Sequence, residues 1–69
     1  MRKYWYYTYK TLEGIGSDIC SSDCGEFDLV KESKYIVRKW KEPCVITYWH
    51  EISANQYQKM KEYLENREN

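Results

Sequence analysis

The sequence holds few of the features that usually identify a protein. Its longest uncharged run is Pro43–His50, eight residues with the histidine neutral. A bilayer-spanning helix needs roughly 20 apolar residues, so a helical membrane span is excluded and no membrane partner is expected. No basic start followed by an aliphatic stretch opens the chain. A signal peptide is therefore not expected, and the expected location is cytoplasmic. Eleven basic residues match eleven acidic ones, which removes the basic excess of a strong nucleic-acid binder. Repeats, linkers and low-complexity tracts are missing. With 69 residues there is room for one domain, 1–69, and not for two cores.

Leucine is scarce as well, at three residues. Rings take its place: eight Tyr, three Trp and one Phe make up 17% of the chain. An aromatic side chain buries about 150–250 Å², so a few rings supply what many leucines would. Domains this short bury only about 60% of their unfolded surface. The rings are expected first as core, and any surplus as a contact surface.

The zero net charge is segregated. Residues 1–11 carry +3, residues 12–30 carry −5, residues 31–42 carry +3, and residues 43–69 carry −1. The second basic stretch, Lys31, Lys34, Arg38 and Lys41, falls at helical spacing and reads as a basic helix face.

Residues 3–11 are dense in β-favouring types and predict a strand. Trp5, Tyr7 and Tyr9 point one way, and Tyr4, Tyr6 and Thr8 the other. Both faces are aromatic, which places this strand in the middle of its sheet. Glu13-Gly14 is a turn, and Gly16–Ser21 a second, more polar edge strand. After a loop at 23–26, Asp28 caps a helix. Leu29, Ser33, Ile36, Val37 and Trp40 form its apolar stripe, and Pro43 ends it. Residues 44–51 predict a third strand, with Val45, Thr47 and Trp49 on one face and Cys44, Ile46, Tyr48 and His50 on the other. Ser53-x-x-Gln56 is a capping box, and Ile52 with Tyr57 a hydrophobic staple. The last helix runs from Ala54 to about Glu65, and residues 66–69 should fray.

The order β-β-α-β-α predicts an α+β fold: a two-layer sandwich, three strands in order 2-1-3, both helices on one face. The other face would then be left uncovered, presenting Tyr4, Tyr6, Tyr48 and His50.

Chemistry is sparse. Cys20, Cys24, Cys44 and His50 are the available ligands for a tetrahedral zinc, but the spacing lacks a CxxC knuckle. Three cysteines without a signal peptide read as free thiols, so no metal or other cofactor is expected. Cys44 and His50 are about 20 Å apart along one strand, too far for a nucleophile–base pair. Gly14-Ile-Gly16 lacks a third glycine and precedes a strand, so a hairpin accounts for it. The chain is not expected to be an enzyme. Aromatics on a sheet can stack single-stranded bases, though the ribonucleoprotein motif of such modules is missing. Tyr and Trp equally favour protein interfaces, so the expected partner is an unidentified protein or a second copy of the chain. Single-stranded nucleic acid is the alternative.

The aromatic strand Tyr4–Tyr9, the hairpin glycines Gly14 and Gly16, and Glu51-Ile52-Ser53 before a helix carrying Tyr57 give the chain a family likeness. It resembles a loose group of short uncharacterised bacterial proteins of mobile-element, phage and gut-bacterial genomes. The likeness spans most of the chain and implies the β-β-α-β-α order. It implies no activity.

Overall fold

The computed structural model describes residues 2–67. It contains β1 (Lys3–Lys10), β2 (Ile15–Ser22), α1 (Leu29–Trp40), β3 (Val45–Ile52) and α2 (Ala54–Arg67). Asn66 and Arg67, expected to fray, continue α2; the rest of that expected tail lies outside the described residues. The sheet is antiparallel throughout, in the order β2-β1-β3. The aromatic strand is central, with a row of rings for each face.

The hairpin turns on Thr11. Its N–H donates to the Gly14 carbonyl at 2.7 Å, and its hydroxyl accepts from the Glu13 and Gly14 N–H groups. Asp28 caps α1, its carboxylate accepting from Lys31 N–H at 3.0 Å. Lys41 closes the helix in the left-handed region, at φ 57°, and its N–H reaches the Val37 carbonyl. The Ser53–Gln56 box is formed reciprocally, at 3.1 and 3.3 Å.

The helices do not share a face, and here the expected two-layer packing is corrected. Tyr7 donates to Glu32 of α1, and Tyr9 accepts from the Trp40 indole of α1. Tyr4 instead lies against Tyr57 of α2, ring centroids 4.6 Å apart. Residues 4 and 7 of one strand point to opposite faces, so α1 and α2 sandwich the sheet between them. The physical reason is the composition of β1: an aromatic row on each side gives each helix its own row to cover.

A second correction concerns β3. Thr8 faces Tyr48 while Tyr9 faces Ile46, leaving Thr47 as an extra residue in a bulge. Its hydroxyl meets the Thr8 hydroxyl at 2.9 Å. Strict alternation would put Ile46 with Tyr48 and His50. The bulge turns it instead to the α1 side, where it packs against the core of Tyr7, Tyr9 and Ile36.

Candidate binding surface beside α2

The α2 face of the sheet carries Tyr4, Tyr6, Tyr48, His50 and Ile52. The β1–β3 register sets Tyr6 opposite His50 and Tyr4 opposite Ile52. Tyr6 and His50 have ring centroids 5.5 Å apart, and His50 and Tyr48 5.4 Å. Three of the four expected surface residues therefore form one continuous row. The fourth, Tyr4, is half-buried under Tyr57 and does not join it. The expected uncovered face is thus partly covered: α2 closes its Tyr4 end and leaves Tyr48 and His50 exposed.

Between the row and α2 lies a groove of about 410 Å³, lined by Tyr6, His50, Ile52, Lys59, Met60 and Tyr63. Besides its three rings, the lining holds one aliphatic, one thioether and one amide side chain, the last from Gln56. Met60 is an adaptable contact for irregular apolar surfaces. Lys59 is the cation on the rim.

The basic face, Lys31, Lys34, Arg38 and Lys41, is exposed on α1, across the sheet from this row. One stretch of single-stranded nucleic acid cannot lie on the rings and on these cations together without wrapping the sheet edge.

The proposed zinc ligands are not assembled. Cys20 faces α1 with Trp5, its partner across the strands, while His50 is on the α2 side. The Cys44 thiol is turned to the Glu42 carbonyl at 3.3 Å. The three cysteines are free, and among the described residues no three His, Cys, Asp or Glu side chains are grouped to hold a metal.

Sequence reasoning missed one cluster. Glu32, on the polar side of the expected stripe, is buried under α1 and accepts from the Tyr7 hydroxyl at 3.3 Å. Burial raises its carboxyl above the usual range, against the Tyr7 hydrogen bond that lowers it. Burial, with the nearby Asp18 and Glu32 charges, raises the Tyr7 phenol in turn. The Cys20 thiol is pushed up to about 12, by burial first and by Glu32 and Asp18 second. Cys20 is thereby held as the neutral thiol, an inert one. The cluster's only trace in the sequence is the spacing of Glu32 four residues before Ile36, which sets the two on neighbouring turns of one side of α1.

No protein-family model matches the chain, and no curated protein or solved structure shows a significant match to it. Among the described residues no helix is long and apolar enough to cross a membrane.

Proposed function

We propose that this chain is a small cytoplasmic interaction module. It makes protein–protein contact through the aromatic row of Tyr6, His50 and Tyr48 and the groove behind it, and carries out no reaction of its own. The observation that carries the reading is the row itself. Three rings stand about one van der Waals contact apart, two of them exposed, beside a groove walled by Met60 and Tyr63. Rings bring large area with few rotors, which is why they dominate interface hot spots. The three free thiols accord with a reducing compartment.

The competing reading is base stacking by single-stranded nucleic acid. The position of Lys31, Lys34, Arg38 and Lys41 on the far helix disfavours it, because backbone neutralisation supplies much of that affinity.

One experiment tests both. The intact chain and a Tyr6→Ala/Tyr48→Ala variant are used to capture proteins from host lysate, and both are titrated with labelled single-stranded RNA and DNA at low salt. A protein held by the parent and lost by the variant is expected. Partners retained by the variant refute the chosen row. Nucleic-acid binding at tens of micromolar, lost in the variant, moves the function to the second reading.

A further inference from the structure

We infer that β3 pairs antiparallel with β3 of a second copy, joining two three-stranded sheets into one of six. The inference rests on the contact reading above and names its partner and geometry. β3 is one of two edges of the sheet, and the two edges differ. On β2, the Asp18 carboxylate accepts from the next N–H, Ile19, at 2.8 Å, and Lys39 of α1 holds Asp18 at 3.7 Å. That strand has a backbone donor already engaged and a charged clamp over it. Among the described residues no side chain engages the backbone N–H or carbonyl groups of β3. Edge strands are normally guarded by lysine, proline or a bulge. Between the Thr47 bulge and its C-terminal end, β3 has none, and Glu51 is its only charge.

The surroundings of β3 look incomplete on the same side. Lys39 and Glu32 of α1 turn toward β2 and β1. Val37 lies about 160° round the helix from Lys39, so it overhangs the free side of β3. Val37 is 40% exposed, Leu29 41% and Trp49 41%. The apolar stripe of α1 is thus wider than the sheet beneath it. A further strand would lie about 4.8 Å outward from β3, under that overhang.

A second copy fits this place by symmetry and by charge. Residues opposite each other in an antiparallel pair share a face, so a two-fold axis at Trp49 sets Tyr48 against His50 of the second copy, and His50 against its Tyr48. The ring contact already present within one chain, 5.4 Å between Tyr48 and His50, is then repeated across the axis. The chain has zero net charge, so two copies approach without net repulsion.

Sedimentation velocity of the intact chain, from about 1 to 100 µM, reads the mass. Backbone amide exchange at both ends of that range reads the place. Dimer formation is expected, with added protection of β3 amides at high concentration and none in β2. Tyr48→Lys, a substitution at an exposed side chain, is expected to weaken the dimer at least tenfold with an unchanged circular dichroism spectrum. Lys34→Ala, at an exposed position of α1 away from the edge, is expected to leave it intact. A monomer throughout, or protection gained in β2, overturns the inference. A dimer abolished by Tyr6→Ala without protection of β3 overturns it too, but leaves the contact reading standing as a face-to-face association.

Discussion

At the residue scale the decisive group is Glu32. A carboxyl whose pKa is higher folded than unfolded binds protons more tightly in the native state. Stability then falls as pH rises from the unfolded-state value through the folded one, and stays low above both. Burial is the first cause of the rise here, so acidification into that window should stabilise the protein. Glu32→Gln keeps the acceptor for Tyr7 and removes the charge. It should raise the melting temperature at pH 7 and flatten the pH dependence, as thermal unfolding between pH 4 and 8 would measure. Tyr7→Phe leaves the carboxylate unpaired and should cost about 1.5–3 kcal/mol at pH 7, and less at acid pH. Gly16 is decided by contact. A methyl group there would sit 2.6 Å from the Tyr9 ring, and that ring is buried and tied to Trp40 at 2.9 Å. Gly16→Ala should cost about 1–3 kcal/mol by overpacking, with a change in Trp40 fluorescence. Neither effect was legible in the sequence. Glu32 sits beside the apolar stripe, and a polar residue there reads as solvated until the partner hydroxyl is placed over it. Gly16 read as a hairpin residue, when its role is to lie flat beneath a ring from the neighbouring strand.

Elements were more legible than their placement. All five follow from local signals: the aromatic run of β1, the Gly14 turn before β2, the Asp28 cap and Pro43 on either side of α1, the uncharged run of β3, and the Ser53–Gln56 box before α2. Strand order followed from β1 being aromatic on both sides. That same property should have separated the helices, since two rings rows facing opposite ways cannot both be covered from one side. The bulge at Thr47 was hidden for a different reason. Nothing in Ile-Thr-Tyr marks an extra residue; only Ile46, apolar on an otherwise polar-tipped face, disagreed with strict alternation. The capping box gives the element-scale prediction. Ser53→Ala removes the acceptor for Gln56 N–H and should cost about 1 kcal/mol. The loss should be local: faster amide exchange in the first turns of α2 and around Tyr4 and Tyr57, with the α1 core of Tyr7 and Ile36 keeping its protection.

For the whole molecule, the sheet divides the surface into two chemically distinct sides. The α2 side carries rings and a groove with one cation, Lys59, in its lining. The α1 side carries the basic face and the exposed apolar strip. The formal neutrality of the chain conceals this, because the basic run and the acidic 12–30 stretch are arranged on one fold rather than averaged over it. A binding event on the ring side should therefore be nearly independent of the charges on the other. Exposed charges are screened beyond about 8 Å at physiological ionic strength, and sites with no shared neighbours contribute additively within about 0.5 kcal/mol. For a captured protein partner, raising salt from about 50 to 500 mM should change the affinity less than threefold. Lys34→Ala/Arg38→Ala should leave it unchanged, and Tyr6→Ala/Tyr48→Ala should weaken it at least tenfold, as calorimetric titration would measure. The combined variant should show the product of the two effects. A steep salt dependence, or a loss from Lys34→Ala/Arg38→Ala equal to that from the ring variant, would place the contact on α1 and remove the aromatic row from the function.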